Sequence, residues 1–181
     1  YENRPLEVTI YSSCEKVELF LNGKSLGRQT LGRDTRFMAT WQVPYEAGVL
    51  SAVAYQGKKA IKHSELTTAK KPEQIRLLTD RTVLKANGQD LSYITVELTD
   101  GSGIRNPKAE NQVKFEVEGP GTIIGVGNSN PVSLESYTLP ERKAWQGRCL
   151  VIIKAGKEAG KIVVKATAEG LRPAVAVVAV Q

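Results

Sequence analysis

An aromatic ring set beside amide and carboxylate groups can grip a sugar, because the ring stacks on it while the polar groups orient it. One stretch of this sequence offers that set. Tyr137 and Trp145 fall in or beside the segment 127–146, which has little regular pattern, together with Asn128, Asn130 and Glu135. Trp145, Tyr137, Asn128 and Asn130 are therefore the candidate carbohydrate contacts. The same side chains could instead form a satellite core under the loop, so both readings stay open.

Bond-breaking chemistry finds less material. Hydrolysis of a glycosidic bond normally needs two carboxyl groups flanking it, about 5–5.5 Å apart for retention of configuration. The sequence has 19 acidic residues, but Glu18, Glu97, Glu116 and Glu118 occupy the polar phase of alternating runs, where solvated strand faces are expected. His63, the one histidine, stands in a polar stretch with no nucleophile motif beside it. A zinc site wants three or four Cys, His or carboxylate ligands, and no such spacing occurs. Gly119-Pro120-Gly121 with Gly125 and Gly127 lacks the lysine and helix of a phosphate loop, so these glycines are read as tight bends. No catalytic residue, metal ligand or cofactor is assigned.

Charge and cysteine usage narrow the partners. The net charge is +6, yet basic residues never run longer than two together, which describes a soluble surface and not a nucleic-acid footprint. No apolar run approaches the roughly 20 residues of a membrane helix. Cys14 and Cys149 fall in different predicted domains, so two buried free thiols are expected and not a bridge. The chain opens on Tyr1 and its one methionine is Met38, which reads as a piece cut from a longer polypeptide.

The elements that would position these residues are strands. Val17, Leu19 and Leu21 alternate with polar or exposed partners, as do Ile94, Val96 and Leu98, then Val113, Phe115 and Val117, then Ile162, Val164 and Ala166. A period of two buries one face of a strand and wets the other. Asn22-Gly23, Gln56-Gly57, Asn87-Gly88 and Asp100-Gly101 supply turns between such runs. Trp41 lies in the alternating run from Arg36 to Val43 and is expected in the core. The fold class is all-β, with two tandem immunoglobulin-like β-sandwich domains. The polar, proline-bearing stretch 69–73 divides them, giving 1–71, truncated at its N-terminal edge, and 72–181.

Two strings carry a resemblance. Val17-Glu18-Leu19-Phe20-Leu21-Asn22-Gly23-Lys24-Ser25-Leu26-Gly27, followed by Trp41–Leu50 and Ala52–Tyr55, resembles a small β-sandwich that follows the catalytic barrel in glycoside hydrolase family 2 enzymes, the Bacteroides-type β-galactosidases above all. The second half, through Ile94–Gly103, Gly125–Pro131, Trp145–Leu150 and Gly160–Ala168, resembles the next domain of those enzymes, akin to bacterial immunoglobulin-like modules. Ser129, Trp145 and Gln146 depart from residues common in relatives.

The resemblance implies a non-catalytic accessory region that supports an upstream catalytic barrel of the same polypeptide. The parent would be a retaining exo-glycosidase of periplasmic, extracellular or cell-surface location in a bacterium, and its catalytic glutamates would lie in that barrel. A surface made to meet the barrel leaves an apolar patch on this piece. Two other functions remain open: a carbohydrate-binding module, and a surface stalk or adhesin. The two halves differ in motif, which does not suit a simple repeat array.

Overall fold

A computed structural model describes residues 4–181. Every regular element among them is a strand, and the chain divides into two units, residues 1–68 and 69–181.

The first unit contains β1 (Pro5–Tyr11), β2 (Lys16–Leu21), β3 (Lys24–Thr30), β4 (Met38–Pro44), β5 (Val49–Gln56) and β6 (Lys59–Thr67). β1 and β4 form a two-stranded sheet; β3-β2-β5-β6 form a second of four strands, all antiparallel. Alternation dictates the packing. Val17, Leu19 and Leu21 of β2 bury against Ala39, Trp41 and Val43 of β4, as the period of two requires. Asn22 and Gly23 take φ of 51° and 79° and close the β2–β3 hairpin with the positive φ angles that an Asn-Gly pair tolerates.

The fourth strand begins at Met38 and not at Arg36, as the alternation alone suggested. Arg36 and Phe37 take φ of 54° and 57°, so they turn the chain before the ladder starts. The β5–β6 turn likewise falls one residue later than expected, on Gly57-Lys58.

The second unit contains β7 (Gln74–Thr79), β8 (Val83–Leu84), β9 (Leu91–Thr99), β10 (Gln112–Glu118), β11 (Gly121–Gly127), β12 (Glu141–Lys143), β13 (Arg148–Ala155), β14 (Gly160–Thr167) and β15 (Ala174–Val180). Sheet β12-β10-β14-β15-β8 covers sheet β11-β13-β9-β7. Ile94, Val96 and Leu98 from β9, Val151 and Ile153 from β13, and Ile162, Val164 and Ala166 from β14 lose all solvent contact between them. β15 runs parallel to β8 and antiparallel to β14. Gly119 takes a φ of 93°, and a Cβ there would collide with the Lys161 carbonyl, which is why glycine stands at this bend.

Three expectations need correction here. The segment 127–146 is not one irregular loop, because Glu141–Lys143 pairs with β10. Glu97 is not solvated: it points away from the core, yet is only 3% exposed. Cys14 is half-buried, not buried. Cys149 is buried, and burial pushes its thiol up to about 12; both cysteines are free.

Ile162 touches no solvent at the centre of the second unit. Ile162→Ala should therefore cost about 2–5 kcal/mol, read as a lower urea midpoint by circular dichroism at unchanged slope.

Candidate functional site

The segment between β11 and β13 is organised by a residue that sequence reasoning passed over. Arg142 sits in the short strand β12, opposite Val113 of β10, and so in the inward phase of the sheet. Its side chain is completely buried. A buried guanidinium must find partners, because it cannot shed its charge. Nη1 donates to the Glu135 carbonyl at 3.1 Å and Nη2 to Asn128 Oδ1 at 3.1 Å. The Tyr137 ring lies 4.8 Å from the guanidinium carbon, within cation–π range. Nε stands 3.6 Å from Glu135 Oε2 but makes no hydrogen bond.

Glu135 completes the arrangement. Its Oε1 accepts from the Lys143 backbone N–H at 3.0 Å, and its Oε2 from the Ser133 hydroxyl at 3.1 Å. Burial works to raise its pKa. The Lys143 N–H, the Ser133 hydroxyl and the Arg142 charge outweigh that and hold the carboxyl below its ordinary value.

The four sequence candidates divide. Asn128 donates through Nδ2 to the Lys143 carbonyl at 2.7 Å, while its Oδ1 accepts from Arg142 and from the Asn130 N–H. Asn130 Oδ1 accepts from the Val132 N–H at 3.1 Å, an Asx-type turn. Both amides thus brace the loop. Tyr137 presents its ring outward, 60% exposed, while its carbonyl accepts from the Val126 N–H at 2.8 Å. Trp145 stands apart. It pairs through its backbone with Arg148 across the tight turn Gln146-Gly147, is half-buried, and makes no hydrogen bond to the other three among the described residues. The structure thus links Asn128, Asn130 and Tyr137 around Arg142. A charged residue aligned with Val113 was the available signal, too brief in a three-residue strand to be read.

A second ionic cluster lies on the outward face of sheet β11-β13-β9-β7. Glu97 of β9 receives Arg76 from β7 on one side and Arg148 from β13 on the other, with Arg148 Nη2 at 2.6 Å. The two guanidinium groups lie over the carboxylate and exclude water from it. Burial alone would raise the Glu97 pKa, but the two arginines lower it overall.

The chemistry open to these groups is limited. A general acid for glycoside cleavage needs a carboxyl whose pKa is raised. Among the described residues, every carboxyl that departs from its ordinary value departs downward: Glu18, Asp80, Asp90, Glu97, Asp100 and Glu135. His63 is exposed, with Glu65 4.0 Å away, and no group of three or more metal-ligating side chains occurs among the described residues. The arrangement binds the loop to the sheet and favours the ionised form of the carboxyls that take part in it.

Two outcomes follow for these ion clusters. Glu135→Ala leaves the Arg142 charge without its carboxylate and should cost about 3 kcal/mol, with faster proteolysis between 128 and 141. For pH, Glu97 and Glu135 have folded pKa values below 4.5, their ordinary value. Their contribution is therefore complete above about pH 4.5 and fades as acid drops the pH through the lowered values. Thermal unfolding followed from pH 7 to 2 should show this loss, and Glu97→Gln should flatten it.

Comparison with known proteins bears on the identity of this scaffold. Residues 75–177, more than half of the chain, match the glycoside hydrolase family 2 C-terminal domain 5, and residues 3–62 match a domain of unknown function, DUF4982. The β-galactosidase BoGH2A of Bacteroides ovatus is 44% identical over 91% of this chain but only 19% of its own length. A glycosyl hydrolase family 2 member from Bacteroides cellulosilyticus superposes with a TM-score of 0.95 at 46% identity, over 100% of this chain and 23% of that one. A β-glycosidase from Bacteroides vulgatus gives 0.91 at 29% identity, over 98% and 23%. The chain spans about a fifth of the length of these relatives. With its β-sandwich architecture and its match over 75–177, the chain belongs to glycoside hydrolase family 2 and carries that family's C-terminal domain 5.

Proposed function

We propose that this chain is a non-catalytic accessory region of a longer family 2 glycosidase, a β-galactosidase or an enzyme acting on a related sugar, and that it supports an upstream catalytic barrel of the same polypeptide. The observation that carries the reading is chemical. Among the described residues, the carboxyls whose pKa departs from its ordinary value are all lowered, by arginines, hydroxyls or backbone N–H groups. None of them is tuned to protonate a leaving group. The relatives named as glycosidases have most of their length outside the matched region, which leaves room there for the catalytic groups. In such a parent the sandwiches contribute surface and rigidity, and sugar specificity resides elsewhere.

A second reading is favoured by Tyr137 alone. Its ring is turned to solvent and braced beneath by the Arg142 guanidinium, as a stacking platform for a sugar ring requires. In that reading Asn128 and Asn130 hold the platform, and Trp145 supplies a separate surface.

Assay of the 181-residue chain on chromogenic galactosides should give the buffer rate, while the full parent polypeptide turns over. Turnover by the chain alone sinks the accessory reading. Calorimetric titration with oligosaccharides decides the second: heat abolished by Tyr137→Ala supports the platform, and no heat at millimolar sugar removes it.

A further inference from the structure

The two units cover their sheets unequally. In the second, a five-stranded sheet faces a four-stranded one, and the side chains between them are sealed. In the first, four strands are covered by two. Strands lie about 4.8 Å apart, so the cover is short by about 10 Å. Within the cover β4 lies over β2, and the shortfall falls over β5 and β6.

A groove results. Its floor is Leu50 and Ala52 of β5, one wall is Val8 and Ile10 of β1, and the other is Ser64 and Leu66 of β6. It forms two adjoining hollows of about 230 and 400 Å³. Val8 and Ile10 face inward yet remain only half-buried, and Leu66 is 72% exposed. Along the wall, β1 pairs with β4 on one side; its other edge has no strand partner among the described residues. That edge offers a row of unpaired N–H and C=O groups to an added strand.

We infer that this groove seats one extended segment of the same polypeptide, hydrogen-bonded to the free edge of β1 and carrying bulky apolar side chains at alternate positions. The inference rests on the accessory reading above, in that it requires a longer parent. Three observations select this occupant. The free backbone edge calls for a strand, not a helix, and β1 is seven residues long, so a strand of similar length fits. The floor residues Ala52 and Ala54 and the wall residue Ser64 are small, which leaves volume for large side chains from above. The charged lining is confined to Glu46, Lys62 and Glu65, so the groove offers little to a charged foreign partner. A segment of the same polypeptide arrives at millimolar effective concentration without any charge steering. The matched region is only 19% and 23% of the length of two relatives, so such a segment has ample chain to come from.

Hydrogen–deuterium exchange tests this on the 181-residue chain and on the full parent polypeptide. The β1 amides that point away from β4 should exchange at least 100-fold more slowly in the parent. Leu66→Lys in the parent should abolish that protection, and in the 181-residue chain it should change nothing. Equal exchange in both proteins overturns the inference. So does protection in the 181-residue chain that grows with its concentration, because a second copy then fills the groove. The comparison does not depend on catalysis: an inactive parent with protected β1 amides sinks the accessory reading and leaves the groove inference standing.

Discussion

Alternation along each strand is the constraint on which everything else in this chain depends. A strand that places valine and leucine at every second position has one apolar face, and that face is stable only when another sheet lies on it. In the second unit, Ile94, Val96 and Leu98 meet Ile162, Val164 and Ala166, and the demand is met. In the first unit Trp41 and its neighbours on β4 meet it over β2. The loops, the ion clusters and the groove follow from where the covering succeeds and where it stops.

Arg142 shows how a polar residue is admitted to such a scaffold. It occupies an inward position that a valine could fill. Its two Nη atoms donate to a carbonyl and an amide oxygen, and an aromatic face and a nearby carboxylate flank the charge, while Nε makes no hydrogen bond. The consequence is geometric. A segment of nearly twenty residues, which chain entropy would scatter, is held against β10 and β11 from beneath. The Glu97 cluster does comparable work on the opposite face, where two arginines join three neighbouring strands through one carboxylate. Neither cluster has the electrostatics of an acid–base pair, since each stabilises the charge that is already there.

Much of the fold was legible because its signals are local. The alternating runs through Val17, Ile94, Val113 and Ile162 all form strands, because each carries its own period of two. Asn22-Gly23 closes the hairpin its chemistry implies. What escaped was set by tertiary contacts. The strand Glu141–Lys143 has three residues, too few to show a period, and it exists because β10 offers it an edge. Glu97 follows the polar phase faithfully, and only the approach of Arg76 and Arg148 from neighbouring strands buries it. The loop was legible as a site of interest, with Tyr137, Asn128 and Asn130 in it, but its centre was not. Trp145, adjacent in sequence, is carried off by the turn at Gln146-Gly147.

The parallel ladder of β8 and β15 has a mechanical consequence. Leu84 accepts from the Gln181 N–H, Gln181 accepts from the Ala86 N–H, and the Thr82 carbonyl accepts from Ala179. These bonds lie crosswise to two strands that point the same way. Tension drawn between the start of β8 and the end of β15 slides one strand along the other. All the bonds then stretch together, whereas a hairpin pulled from its open end yields one bond at a time. The last strand is thereby a clasp that resists traction along the polypeptide.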